Sequence, residues 1–289
     1  MLKYLLFSLR PKQWIKNLFI FPPLIFGKKL LVFPANLKTV IAFCLFSLAA
    51  GVAYVINDII DIEKDRFIPT KRLRPIASGK ISIRQAAITA FILGALSIVL
   101  SFMLDISFGC VIIVYLLFNF LYSKVLKNIV IIDVFCIGGF FLLRIISGGI
   151  TAEVVLSYWI IILTVLLALF LGFNKRRQEL GLLKRKAIRH RQALKGYTIR
   201  FIDRITVVIT LLIAISYMLY VVDARTVREF GTKNLIFSIP FAYYGIFRYL
   251  YLIHTVKRDG DPTRILLSDK MMQWDLGLWI VVCMGVIYL

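Results

Sequence analysis

Apolar residues gather along this chain in long blocks, and short polar stretches divide one block from the next. A block of about twenty apolar residues matches one helical crossing of a bilayer's hydrocarbon core. The pattern predicts spans near 17–34, 37–60, 83–104, 107–123, 129–150, 155–174, 200–222, 234–254 and 273–289. The first is interrupted by Pro22, Pro23, Lys28 and Lys29. A proline pair inside a membrane helix implies a kink or a helix start. The predicted fold class is all-α: a polytopic membrane protein of about nine transmembrane helices, with residues 1–289 forming one integral membrane domain.

Composition agrees. A hydrophobic fraction of 60% and a mean hydropathy of +0.87 exclude an ordinary soluble domain. The first sixteen residues carry Lys3, Arg10, Lys12 and Lys16 and no small-residue cleavage site, so no cleavable signal peptide is expected. The net charge of +21 does not point to nucleic acid, because the charges lie in loops between spans. Those loops alternate. The N-terminus, 61–82, 122–128, 175–199 and 255–272 hold most of the Lys and Arg. The positive-inside rule places them in the cytoplasm, with the N-terminus inside and, after an odd number of spans, the C-terminus outside a plasma or inner membrane. Cys44, Cys110, Cys136 and Cys283 read as small buried residues. Two isolated histidines offer no zinc site.

The polar exceptions carry the chemistry. At the end of the second block, Asn57 and Asp58 are followed by Asp61 and Asp65. Offsets of i, i+3 and i+7 align the three carboxylates on one stripe of a helix. Carboxylates beside a bilayer need positive partners. Mg²⁺ fits, since it takes hard oxygen ligands and bridges to substrate phosphates. Asp58 and Asp65 would be roughly 10 Å apart along the axis, so either two ions bind, or one ion takes two carboxylates and the third acts through water. The catalytic and metal candidates are thus Asp58, Asp61 and Asp65, with Asn57 beside them. Arg66, Lys71, Arg72 and Arg74 follow in a segment with two prolines and Gly79, and its cations and backbone N–H groups suit a phosphate or diphosphate. Tyr122 and Lys127 lie at the next basic rim. Arg144 sits mid-span, where an arginine normally faces the bundle interior and has a partner. Lys175, Arg176 and Glu179 close the sixth span. The run 184–191 reads as a surface for anionic lipid, and Asp259 to Arg264 as a tight turn.

The pattern Asn57-Asp58-x-x-Asp61-x-x-x-Asp65 after an apolar span resembles the first aspartate motif of the UbiA superfamily of intramembrane prenyltransferases. That resemblance covers nearly the whole chain, and implies nine helices around a cavity open to the membrane and a motif that binds Mg²⁺ and a donor diphosphate. Ordinary members carry a second acidic motif near the end of the sixth span, where this chain has Lys175-Arg176-Arg177-Gln178-Glu179. Together with Arg10-Pro-Lys-Gln-Trp-Ile-Lys-Asn17, the segment Asp65 to Gly79, Tyr122 to Lys127 and Gly260-Asp261-Pro262-Thr263, it looks like the decaprenyl-phosphate phosphoribosyltransferase branch. The resemblance implies a phosphoribosyl diphosphate donor, a polyprenyl phosphate acceptor and Mg²⁺. Lys16, Asn57, Arg66, Lys71, Arg72, Arg74, Tyr122, Lys127, Lys175, Arg176 and Glu179 would then contact substrate. Basic groups at the second motif suit a substrate pair with three separate phosphate centres. Two alternatives are a conventional prenyltransferase with a prenyl diphosphate donor, and a transporter or flippase. Polar motifs crowded on one face favour an interfacial enzyme over a midplane transport site. A homo-oligomer is compatible with all of these features.

Overall fold

A computed structural model describes residues 2–68, 71–183, 192–255, 265 and 268–289. Among them, the elements in chain order are α1 (Leu2–Ser8), a 3₁₀ helix (Pro11–Ile20), α2 (Phe21–Phe26), α3 (Ala35–Ile60), α4 (Ile62–Arg66), α5 (Ile83–Leu104), α6 (Ile106–Lys124), a 3₁₀ turn (Leu126–Asn128) and α7 (Ile132–Ala152). There follow α8 (Tyr158–Leu183), α9 (Ile199–Val222), α10 (Ala224–Phe230), α11 (Ile239–Thr255) and α12 (Lys270–Tyr288), with further 3₁₀ turns at Gln192–Gly196 and Asn234–Ser238. Eight helical segments are long and apolar enough to cross a bilayer: α3, α5, α6, α7, α8, α9, α11 together with the 3₁₀ turn before it, and α12. The run 184–191 and the turn Asp259 to Arg264 lie outside the described residues.

The predicted first span is where sequence and structure part. No long helix forms over 17–34. The chain runs instead through ten residues of 3₁₀ helix and six of α-helix before a turn at Gly27. At ~2.0 and ~1.5 Å per residue these reach about 29 Å, close to a hydrocarbon thickness of ~30 Å. The neighbours confirm that this segment follows the length of α3. Arg10, at one end, meets Asp58 in the last turn of α3. Leu24, at the other, packs with Ala35 in its first turn and with Ala152 at the end of α7. The long membrane helices therefore number eight rather than nine among the described residues, and in place of the ninth a 3₁₀ stretch followed by α2 lies along α3.

The chain divides into two compact units, one of Met1–Cys136 and Leu143–Val155, the other of Ile137–Leu142 and Leu156–Leu289. In the first, α5 packs on α3 through small residues. Ala86, Ala90, Gly94, Ser97 and Ser101 are the buried positions of α5, and Ala86 and Ala90 join Val52 and Val55 in one apolar cluster. Small side chains let membrane helices approach closely where no hydrophobic driving force separates lipid from protein. Ser82 and Gln85 form a capping box at the start of α5, and Asp105 caps α6 by accepting from the N–H of Phe108 at 2.9 Å. Gly148 on α7 allows the closest approach: a Cβ there would lie 2.0 Å from the carbonyl oxygen of Ile20. Beside that contact the buried Arg144 donates from Nε to Asn17 Oδ1 at 2.8 Å and stands over the rings of Phe46 and Tyr115. Asn17 in turn donates to Ser47 Oγ at 2.9 Å. The mid-span arginine thus pins the 3₁₀ segment between α3, α6 and α7.

In the second unit α8 and α9 pack together. Asp269 caps α12 through the N–H of Met272 at 2.8 Å and takes the Arg248 guanidinium at 2.8 Å. Arg248 holds the Asp269 carboxyl below its ordinary value of 3.8. Cys136 and Cys283 are buried as expected, but Cys44 and Cys110 are exposed on their helices. An apolar thiol is at ease against lipid, so burial among apolar neighbours does not require burial in protein.

Candidate functional site

The site forms where α3 ends. The helix stops at Ile60, Asp61 takes φ −95° and ψ 8°, and α4 begins at Ile62. Two backbone bonds bridge the joint, from the Asp61 N–H to Asn57 O at 3.0 Å and from the Asp65 N–H to Asp61 O at 2.8 Å. The helical register is kept, so the side chains at 58, 61 and 65 still point to related directions. Asp58 and Asp65 are buried, at 2% and 1% exposure, which demands compensation of their charge.

That compensation comes from four cations of the first unit. Arg74 Nη1 donates to Asp58 Oδ1 at 2.9 Å and to Asp65 Oδ2 at 2.5 Å, so one nitrogen bridges two carboxylates. Arg10 Nη2 also donates to Asp58 Oδ1, and the Arg10 guanidinium stands 4.9 Å from the Tyr54 ring centre. Lys71 Nζ lies 3.7 Å from Asp65 Oδ1. Lys127, on the 3₁₀ turn after α6, donates to both oxygens of Asp61 at 2.7 Å and approaches Asn57 Oδ1 at 3.5 Å. Ser123 donates to the same amide oxygen at 3.1 Å. Burial pushes the Arg10 pKa down, and the neighbouring Asp58 opposes that shift.

The motif therefore splits into two pairs, Asp58 with Asp65 around Arg74, and Asn57 with Asp61 around Lys127. This differs from a single stripe with its outer carboxylates 10 Å apart. The joint at Asp61 and the reach of the side chains bring Asp58 and Asp65 within bonding distance of one atom.

The loop after α4 presents Arg74 by folding on itself. Ile68, Ile76 and Ile81 are buried, and Ile76 and Ile81 join the cluster that holds Leu9, Val52 and Val55. The N–H groups of Lys71, Arg72, Arg74, Ser78, Gly79 and Ile81 are all bonded within the loop. Gly79, at φ +77°, makes the turn that a side chain would strain. Six of the loop's backbone donors are thus spent on its own fold, and its cationic side chains are the groups it turns toward the aspartates. Arg66 turns away and donates from Nε to Ala77 O at 3.4 Å, tying α4 to the loop. Arg72 is exposed, whereas Lys16 and Tyr122 are partly buried on the 3₁₀ helix and at the end of α6.

Two members of the constellation were not among the residues selected from the sequence. Arg10 lies 48 positions from Asp58, and Ser123 lies 66 from Asn57. The Arg10-Pro11 pair was visible, but nothing in local spacing links it to the aspartates. Its backbone gives a late signal: φ is 52°, a left-handed conformation that non-glycine residues rarely hold outside functional or strained positions.

The second unit carries the other basic motif at the end of α8. Arg176, at 1% exposure, donates to Glu179 Oε2 at 2.6 Å, and Arg177 donates to Asp203 Oδ1 at 2.5 Å. Lys175 is partly buried beside them. The buried Asn174 Oδ1 and Gln178 Oε1 have no hydrogen-bond partner among the described residues.

Among the described residues no three acidic, histidine or cysteine side chains converge as a ready metal cage. The donor set nevertheless suits a hard divalent ion. Asp58 and Asp65 offer carboxylate oxygens to a shared position, and a positively charged nitrogen already takes it.

A set of membrane-length helices with an acidic pair and clustered cations where one span ends suits a transferase that works within a membrane. The chain belongs to the UbiA prenyltransferase family, whose model matches residues 21–275. It is 32% identical to the decaprenyl-phosphate phosphoribosyltransferase of Corynebacterium glutamicum, over 98% of this chain and 86% of that protein. It is 30% identical to the enzyme of the same name from Mycobacterium tuberculosis, over 94% and 90%. Among solved structures it is similar to a UbiA homologue from Archaeoglobus fulgidus bound to GPP and Mg²⁺, with a TM-score of 0.74 at 18% identity, covering 99% of this chain and 100% of that one. A digeranylgeranylglyceryl phosphate synthase gives a TM-score of 0.71 at 22% identity, covering 100% and 99%. These structures establish the fold.

Proposed function

We propose that this protein transfers the 5-phosphoribosyl group of phosphoribosyl diphosphate to a polyprenyl phosphate and releases pyrophosphate. The observation that carries the reading is the cluster in which Asp58, Asp61 and Asp65 meet Arg10, Arg74 and Lys127. The names of relatives about 30% identical over nearly the whole chain support the choice of donor and acceptor. Asp58 and Asp65, with Asp61 and Asn57 beside them, would hold Mg²⁺, which when bound neutralises the donor's diphosphate and makes pyrophosphate a better leaving group.

The chain's own groups do the rest by position and charge. Lys71 and Arg74 stand against Asp65 and Lys127 against Asp61, and each offers N–H donors to phosphate oxygens. The bond from ribose C1 to the diphosphate oxygen breaks as C1 gains oxocarbenium character. An oxygen of the polyprenyl phosphate forms the new bond from the opposite face and inverts C1. That nucleophile is ionised near neutral pH, so no strong general base is required, and catalysis rests on orientation and electrostatic stabilisation. Lys16, Arg72 and Tyr122 are assigned to further phosphate and ribose contacts. Lys175, Arg176 and Glu179 are assigned to the 5-phosphate or ribose end on their charge alone. The clustering of basic loops supports a cytoplasmic site in a plasma or inner membrane, with the N-terminus on that side.

The test is direct. Purified protein is given labelled phosphoribosyl diphosphate, polyprenyl phosphate and Mg²⁺, with and without EDTA, and label is followed into the lipid phase. Metal-dependent lipid label that Asp58→Asn abolishes, in a protein that still folds, is the expected result. No label with this donor but turnover of a prenyl diphosphate would overturn the reading in favour of a conventional prenyltransferase.

A further inference from the structure

Arg74 stands in a place of particular interest. Its Nη1 lies between Asp58 Oδ1 and Asp65 Oδ2, at 2.9 and 2.5 Å, where an ion shared by the two carboxylates would lie. The rest of the guanidinium is unengaged: among the described residues neither Nε nor Nη2 of Arg74 has an acceptor. Its side chain is 22% exposed, so the open half of the fork can be reached, while both carboxylates are nearly closed off. A guanidinium presents five N–H donors in a fork matched to phosphate oxygens. Used through one nitrogen against two carboxylates, it leaves most of that capacity idle.

We propose that Arg74 is a resident counter-ion of the metal seat, which competes with the free divalent ion and passes to the donor's phosphate when metal and donor bind. This deepens the proposed function and rests on its reading of the aspartates as a metal and diphosphate platform. The physical basis is charge conservation in a buried place. Asp58 and Asp65 cannot both remain ionised without a cation, and a guanidinium and a divalent ion cannot share one position. When the ion takes the seat, Arg74 is displaced beside new negative charge on the substrate, so its positive charge stays compensated. Metal alone displaces Arg74 with no anion to receive it. Metal together with a phosphorylated donor supplies one. The two ligands are thereby linked, and each strengthens the binding of the other.

The two roles of Arg74 move in opposite directions when it is removed. The full-length protein in detergent is titrated with Mn²⁺ alone, and free Mn²⁺ is read by its electron paramagnetic resonance signal. In Arg74→Gln the donor-free protein is expected to bind Mn²⁺ about tenfold or more tightly than wild type, the size of one charge-assisted hydrogen bond. The KM for phosphoribosyl diphosphate is expected to rise by at least about tenfold, since the fork no longer meets the phosphate. Arg74→Lys keeps one charge on the same loop, and is expected to fold and to show a smaller gain in Mn²⁺ affinity together with a smaller loss for the donor. Asp65→Asn is expected to weaken Mn²⁺ binding. A merely structural Arg74 would weaken metal and donor alike. Unchanged or weaker Mn²⁺ binding in both Arg74 variants overturns the proposal, as does unchanged Mn²⁺ binding in Asp65→Asn. The metal arm uses no donor. A wild type that gives no lipid label with phosphoribosyl diphosphate therefore counts against the proposed reaction, while the Mn²⁺ titration still decides the role of Arg74.

Discussion

Replacing Lys127 with methionine tests whether the site's cations are structural partners of its acids as well as contacts for substrate. Lys127 donates to both oxygens of Asp61 at 2.7 Å, and the two side chains are 11% and 16% exposed. Methionine keeps much of the aliphatic stem and removes the charge. Removing one partner of a fully buried ion pair costs ~3–5 kcal/mol, because the remaining charge is stranded. The residual water access at Asp61 lowers that figure to about 2–4 kcal/mol for Lys127→Met. Asp61→Asn is expected to cost less, since an amide strands no negative charge. The double variant is expected to recover about 2 kcal/mol relative to the sum of the single ones. Unfolding in mixed micelles, run on wild type, both single variants and the double variant, closes the cycle. Turnover supplies the second readout. The double variant is expected to regain stability while remaining inactive, because Asp61 is assigned to the metal platform. A coupling below about 0.5 kcal/mol would refute the argument that Lys127 is the compensating charge of Asp61.

Gly148→Ala places a Cβ 2.0 Å from the Ile20 carbonyl oxygen, a backbone atom that can yield only if the 3₁₀ segment moves, and about 1–3 kcal/mol of stability is expected to be lost in unfolding experiments. Limited proteolysis is expected to cut residues before Phe21 faster in that variant. For Asp269, whose pKa Arg248 lowers, the pair contributes stability above the ordinary carboxyl value of 3.8 and loses it as pH falls through the lower folded value. Wild type is therefore expected to lose stability on acidification below about pH 4, and Asp269→Asn to lose that part of the dependence while being weaker at neutral pH.

How far the chain could be read in advance follows from the range of each signal. The eight long helices were legible because each is a continuous apolar block, and the boundaries at α3, α5, α9 and α11 fall within a few residues of those expected. The passage made by residues 11–26 was misplaced because its prolines and lysines break the apolar block. The aspartates were legible because Asn57, Asp58, Asp61 and Asp65 fall within nine positions at the end of an apolar block and so mark a local pattern. Their partners were less so. Lys127 was singled out as a rim cation with no indication that it would meet Asp61, and Arg10 stood out only as part of an opening motif, with no role at the aspartates. Both pairings span scores of residues, and only the packing of the 3₁₀ segment and α6 against α3 brings them together.

The 3₁₀ geometry of that first passage has a consequence for how its residues change together. A coil of three residues per turn eclipses every third side chain. Trp14, Asn17 and Ile20 thus form one edge, and Asn17 and Ile20 are both fully buried on it. Lys12, Ile15 and Leu18 form a second edge that is mostly exposed, and Lys16 stands on the third with Gln13 and Phe19. Deleting one residue between Trp14 and Asn17 would rotate one side of the coil against the other by a third of a turn. Either Asn17 would leave Arg144 or Arg10 would leave Asp58, because a single rotation cannot satisfy both. The segment works as a three-edged key whose two ends are cut for different locks, and its length in residues is as much a part of the site as the side chains it carries.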